Sequence, residues 1–330
     1  MYIQELDKNN KYELEQLKSF LNTLDLDYDI FCDYTISLLN DDYKIIATVS
    51  KEKNIIKCFG VAKEYQGEGY ANKLLTIIHN KILDENYDYK MVFTKYDNKL
   101  IFESMGYTKV AFTDEVILLE NGKENVEQFL DNVIIENKID ISKDSAMIVM
   151  NCNPFTNGHR YLIENASKEY KQVIVFILEE DKSEFPFEIR IKLVKEGVKD
   201  LKNVIVIPSG RYIISSATFP SYFIKEKTKL LKEYIKLDSE IIISKFCKKL
   251  NIICRYLGSE ELCSVTSKYN EYIKEIFPKN GIEVKIIPRK KINETIISAS
   301  LVRKLINENK IEELRELVPK TTFDYIKKES

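Results

Sequence analysis

From residue 146 onward the chain repeats one pattern, and that pattern constrains the fold more than any other feature. A short apolar run is followed by a turn, an amphipathic stretch and the next apolar run. The runs Ala146–Met150, Val173–Leu178, Val204–Ile207, Ile252–Leu257 and Val284–Ile287 are strand-sized and almost wholly apolar. Between them, His159–Tyr170, Phe187–Lys199, Ser239–Leu250 and Ser267–Phe277 carry helical spacing. Strands alternating with helices of this length imply a parallel sheet covered on both faces. In such sheets ligands sit at the carboxyl ends of the strands, near the point where strand order reverses. The loop after Met150 is therefore the first place to look for chemistry.

The N-terminal part alternates less regularly. Ile45–Val49 and Ile55–Val61 read as strands, Tyr70–Leu83 as a helix, and Met91–Thr94 as a strand. Leu100–Ser104 reads as a short helix and Val116–Leu119 as a closing strand. Asn121-Gly122 is a turn signal. Val126, Phe129, Leu130, Val133 and Ile134 then fall at helical spacing, before the polar stretch Asn137–Ser145. The expected architecture is α/β: an α+β domain over residues 1–122, a helix-bearing linker over 123–144, and a Rossmann-like parallel-sheet domain over 145–330.

Lys and Arg number 50 against 52 Asp and Glu, a net charge of −2, which argues against a general nucleic-acid binder. No apolar run reaches membrane-span length, and the start Met1-Tyr-Ile-Gln-Glu5 has no signal-peptide pattern. The six cysteines form no C-x-x-C pair and read as reduced thiols, so a cytoplasmic protein is expected. Only two histidines exist, His79 and His159, so a three-histidine metal site is impossible and no metal centre is expected.

His159 lies in the loop itself, which reads Asn151-Cys-Asn-Pro-Phe-Thr-Asn-Gly-His159. Helix N-termini offer unpaired N–H groups and partial positive charge, and Gly158 lets the backbone approach a phosphate closely. The stretch Asn153-Pro154-Phe155-Thr156-Asn157-Gly158-His159 resembles the H-x-G-H loop of the nucleotidyltransferase superfamily, with Thr156 where the first His would stand. Ile297-Ser298-Ala-Ser300-Leu-Val-Arg303 resembles its partner motif, I-S-x-S-x-x-R. The resemblance implies that His159 and Thr156 work at the α- and β-phosphates of ATP. It also implies that Ser298, Ser300 and Arg303 hold the departing pyrophosphate, and that Gly258 lies beside the nucleotide. Lys182, after the second strand, is the candidate for a further positive charge, with Mg2+ accompanying ATP.

In the first part, Gln66-Gly67-Glu68-Gly69-Tyr70-Ala71 resembles the loop with which GNAT acyltransferases hold the pyrophosphate of coenzyme A. Asn98–Tyr107 resembles that family's second motif, with Phe102 where a proton-donating Tyr often stands. The resemblance implies a GNAT-like domain that binds a CoA-like arm through Gln66, Gly67, Gly69 and Ala71. His79, on the helix that follows, reads as an ordinary half-exposed helix residue.

The two motif sets in one chain, with Phe185-Pro-Phe-Glu-Ile-Arg190 and Ala217-Thr-Phe-Pro-Ser-Tyr-Phe223, resemble the citrate lyase ligase family over nearly the whole length. That resemblance implies an acid–thiol ligase acting through acetyl-AMP. Acetate and ATP are its substrates, and its partner is the citrate lyase acyl carrier subunit, which bears a CoA-like prosthetic group. Two other classes stay open. One is a nucleotidyltransferase acting on a phosphorylated metabolite, fused to an unrelated acetyltransferase-like domain. The other is a non-catalytic nucleotide-binding module.

Overall fold

A computed structural model describes residues 1–179, 183–214, 219, 221–224, 226–260, 264–293 and 295–329. Lys182, Ala217, Thr218, Lys225, Leu262 and Cys263 lie outside the described residues. The chain forms two compact units. One comprises Met1–Gln128 with Phe219–Glu240, the other Phe129–Thr218 with Ile241–Ser330.

The first unit is built from β1 (Tyr2–Glu5), α1 (Lys11–Thr23), β2 (Tyr34–Leu39), β3 (Ile45–Glu52), β4 (Ile55–Val61), α2 (Tyr70–Asp84), β5 (Tyr89–Lys95), α3 (Lys99–Ser104), β6 (Thr108–Phe112) and β7 (Val116–Gly122). Its strands form one mixed sheet in the order β1-β2-β3-β4-β5-β7-β6. Helix α2 buries Leu74, Leu75, Ile78 and Ile82 against the sheet, a spacing of three and four residues that keeps one face inward. Asn121 and Gly122, expected as a turn, still pair with Lys90 and Tyr89. A Cβ on Gly122 would lie 2.6 Å from the Tyr89 backbone, so glycine here serves close strand packing rather than a turn. β4 and β5 are parallel and pair only at Ile55–Met91 and Ile56–Val92, after which they part.

Helix α4 (Val126–Asn137) spans the boundary between units, where the linker helix was expected. The second unit continues with β8 (Ser145–Met150), α5 (Asn157–Glu169), β9 (Gln172–Ile177), α6 (Phe187–Gly197) and β10 (Val204–Pro208). After α7 (Lys227–Ile241) it resumes with β11 (Ile252–Gly258), α8 (Ser264–Lys279), β12 (Glu283–Ile287), the short strands β13 (Lys291–Ile292) and β14 (Thr295–Ile296), α9 (Ala299–Asn307) and α10 (Lys320–Glu329). The five long strands are all parallel, in the order β10-β9-β8-β11-β12. Strand order reverses between β8 and β11, and the crevice at their carboxyl ends is the switch point. Residues 173–177 of β9 are buried on both faces, which is why the strand reads as a continuous apolar run.

The structure departs from the expected 145–330 domain in one segment. Phe219–Glu240 belongs to the first unit. Thr113 donates to Glu233, and Lys229 and Lys236 pair with Glu115 and Asp114. Phe219 packs edge-on against Phe93. The Tyr222 hydroxyl donates to the Phe93 carbonyl at 3.0 Å and is bonded by the Cys58 N–H. The phenol thus fills the gap where β4 and β5 part, satisfying backbone groups that no strand partner reaches. The helix expected at Ser239–Leu250 is also longer, because α7 starts at Lys227 and runs into a π-helical turn at Ile242–Cys247.

Candidate active site

The β8–α5 loop begins where Arg190 fastens it. This arginine is fully buried, and its guanidinium donates to Asn151 O at 2.7 Å, Asn151 Oδ1 at 2.6 Å, Leu178 O at 2.8 Å and Phe185 O at 2.9 Å. It therefore ties the ends of β8 and β9 to the start of α6. Asn153 is held on the opposite side, its Oδ1 accepting from Phe185 N–H at 3.0 Å. Pro154 and Phe155 are buried. Phe155 stacks on His159 with ring centroids 6.1 Å apart and packs against Gly197, where a Cβ would approach it to 2.5 Å. These three residues shape the loop from beneath.

Thr156 caps α5. His159 N–H donates to Thr156 Oγ1 at 3.3 Å, while Thr156 N–H donates to His159 Nδ1 at 3.1 Å, a reciprocal capping box. The Thr156 hydroxyl lies 3.0 Å from the same Nδ1 and donates to it. Nδ1 is therefore an acceptor, and the network assigns the ring proton to Nε2. That N–H has no partner among the described residues. Thr156 is buried, and its hydroxyl lies against the histidine, so it holds the ring in orientation.

The second motif reaches the same place. A Cβ on Gly158 would meet Ile297 O at 3.2 Å, so the absence of a side chain lets α5 seat against the strand leading into α9. Ser298 caps α9, accepting from Leu301 N–H at 3.1 Å, and among the described residues its own O–H has no acceptor. Arg303 donates to Asn153 O, lies 3.4 Å from Ser300 Oγ, and pairs with Glu184 at 3.3 Å. Gly258 ends β11 beside β8, with open space where a Cβ would stand. His159, Gly158, Ser298, Ser300, Arg303 and Gly258 therefore converge at the switch point, while Lys182 lies outside the described residues.

Burial, and after it the charge of Arg289, hold the His159 imidazole down to about 4. Burial and Lys90 hold His79 at about 4 as well, and its Nε2 lies 2.7 Å from the buried Tyr107 hydroxyl. Both folded values lie below the ordinary 6.5, so the folded chain refuses protons that the unfolded chain takes up. Stability from each ring is fully present above pH 6.5 and is lost as pH falls toward 4. With only two histidines in the chain, ring nitrogen NMR resolves both. The expected result is no titration between pH 8 and 5.5 and a denaturation midpoint that falls below pH 6. Titration of either ring near 6.5 would contradict the assignment.

Sequence reasoning missed four of the groups around the loop: Asn151, Glu184, Arg190 and Arg289. Arg190 lay within the Phe185–Arg190 stretch that carried the resemblance, but nothing in one sequence tells a buried arginine from a surface one.

The citrate lyase ligase C-terminal domain family matches residues 145–326. The citrate pro-3S-lyase ligase of Escherichia coli (strain K12) is 32% identical across 97% of this chain and 92% of its own length. The chain belongs to the citrate lyase ligase family. The Haemophilus influenzae member is likewise 32% identical, over 96% of both chains. A solved bifunctional NMN adenylyltransferase/ADP ribose pyrophosphatase from Francisella tularensis aligns with 56% of this ligase and 49% of its own chain, at 17% identity and a TM-score of 0.36. No helix among the described residues of the ligase is long and apolar enough to cross a membrane.

Proposed function

We propose that this ligase activates citrate lyase in the cytoplasm by acetylating the thiol of a CoA-like prosthetic group on the lyase's acyl carrier subunit, with acetate and ATP as substrates. The observation that carries the reading is the meeting of the Asn153–His159 loop with the Ile297–Arg303 motif at the sheet's switch point. Magnesium accompanies ATP as the substrate MgATP; among the described residues no group of three His, Cys, Asp or Glu could hold a metal ion.

In the first step an acetate oxygen attacks the α-phosphorus. The bond to the bridging oxygen breaks in line, giving acetyl-AMP and pyrophosphate. The chain's work is positioning and charge stabilisation. His159 Nε2–H donates to an α- or β-phosphate oxygen, held in place by Thr156. Ser298, Ser300 and Arg303 hold the pyrophosphate, Arg303 exchanging Glu184 for it. Gly258 leaves room for the nucleotide, and Lys182 joins the set on sequence grounds. In the second step the thiolate attacks the acetyl carbonyl carbon, AMP departs, and the thiol proton goes to solvent. A thiol needs little activation for this.

The first unit holds the arm. Gly67 and Gly69 have φ of +84° and +82°, and Gly69 is the residue before α2, so the loop presents backbone N–H groups at a helix N-terminus. Gln66 folds back to donate to Val61 O at 3.2 Å, and Ala71 lies in the first turn of the helix. Phe102 is a fully buried core ring with no proton to give, which fits a domain that holds the arm without catalysing transfer.

ATP–pyrophosphate exchange across a panel of small carboxylates tests the first step, and acetate dependence is expected. Gly69→Val tests the division of labour. A left-handed backbone costs a branched residue about 1–2 kcal/mol, which the fold should tolerate. The variant is expected to retain exchange and to lose at least about tenfold in carrier acetylation, as one phosphate-cradling loop distorts. Loss of both activities in a folded Gly69→Val protein would overturn the division.

A further inference from the structure

Thr156 stands where the loop's other positive charge would be, and its hydroxyl is committed to His159. Arg289 approaches the same crevice from the other side. It follows β12, and its side chain turns back over the end of β11, the strand next to β8. Its Nε donates to Ser259 O at 2.8 Å, its backbone N–H donates to Ser259 Oγ at 3.2 Å, and its Nη2 pairs with Glu260. The neighbouring Lys290 carbonyl accepts from Ile297 N–H at 3.0 Å, and Ile297 O is the atom against which Gly158 seats. Lys290 Nζ lies 5.9 Å from the Tyr161 ring of α5. Arg289 is thus placed beside the first turn of α5, with Nη1 free of partners among the described residues. The charge of Arg289 is also felt at His159.

We infer that Arg289 is a phosphate-binding residue of this site, supplying from the end of β12 the positive charge that Thr156 does not bring. This rests on the proposed reaction. On binding MgATP the guanidinium donates through Nη1 to an α- or β-phosphate oxygen, while Nε stays on Ser259 O. Glu260 and Ser259 hold the fork in orientation, so little side-chain freedom is lost when the nucleotide arrives.

The alternative role for Arg289 is to neutralise the buried Glu260. Three variants separate the two: Arg289→Met, Glu260→Gln and the double variant. Arg289→Met is expected to slow ATP–pyrophosphate exchange by roughly a hundredfold, as removal of one donor to developing charge does. The double variant is expected to stay as slow as Arg289→Met. Recovery of exchange in the double variant, or near-wild-type exchange in Arg289→Met, would overturn the inference. Arg289→Lys keeps the charge and loses the fork, and is expected to regain about tenfold over Arg289→Met. If Arg289→Met does not fold, Arg289→Lys is compared with Glu260→Gln, and an equal KM for pyrophosphate in the two overturns the inference. Equilibrium binding of MgATP to the same variants reads Arg289 without turnover: about tenfold weaker binding supports the role, and unchanged binding overturns it. The acetate dependence of wild-type exchange reads the proposed reaction separately.

Discussion

His159→Ala is expected to lower acetate-dependent ATP–pyrophosphate exchange by roughly a hundred- to a thousandfold, because in the proposed reaction it removes the ring N–H that meets charge developing on the phosphates. The substitution also breaks half of the α5 capping box, which costs about 1 kcal/mol and would by itself loosen the loop. His159→Gln separates these effects. Glutamine is a natural third-position partner in a capping box and can accept from Thr156 N–H. It cannot place a donor where Nε2 stands while doing so. His159→Gln is therefore expected to denature near the wild-type midpoint and still lose at least about tenfold in exchange. Wild-type exchange in either variant would remove the ring from the mechanism. Because the free imidazole is held near 4, the acid limb of kcat/KM is expected well below pH 6, and a limb at 6.5 assigned to His159 would contradict the geometry.

Parallel strands buried on both faces were legible as apolar runs. The Asn153–His159 loop carried a local pattern of its own, but the cap that Thr156 makes on α5 was not read from it. Other features leave no such trace. Strands β1 and β6 and helix α1 were not anticipated, because their apolar positions are few and mixed with charge, and the uncharged β2 (Tyr34–Leu39) was not anticipated either. The Lys-rich stretch 226–240 reads as a solvated face, yet it buries Ile235 and Leu237 in the first unit. Its placement depends on partners more than a hundred residues away, such as Thr113 with Glu233. The Ala217–Lys225 segment has no role derivable from its residues alone, for the same reason: the backbone gap that Tyr222 fills is made by β4 and β5, and no local pattern announces it. Thr156 could be placed in the loop by sequence, but only geometry shows its hydroxyl turned inward.

Arg190→Met is the second large effect expected. Methionine keeps most of the volume and none of the donors, so the carbonyls of Asn151, Leu178 and Phe185 lose their partners. Buried polar groups left unsatisfied cost about 1–3 kcal/mol each, and these three together should remove at least about 3 kcal/mol. In a unit of this size that lowers the denaturation midpoint by roughly 6–12 °C. The damage is not only to stability. Asn151 opens the loop, Cys152 follows in a left-handed backbone conformation at φ +53°, and Asn153 O is the acceptor for Arg303. Releasing Asn151 frees the stretch that sets both His159 and Arg303, and misplacement by about 1 Å can cost a hundredfold in rate. Exchange should therefore fall by at least about tenfold even at temperatures where the variant is folded, with kcat falling more than KM rises. Arg190→Lys can reach fewer of the four acceptors and is expected to lie between the wild type and Arg190→Met in both readouts. Unchanged midpoint and exchange in Arg190→Met would show that the loop is held by Asn153 and the α5 cap alone.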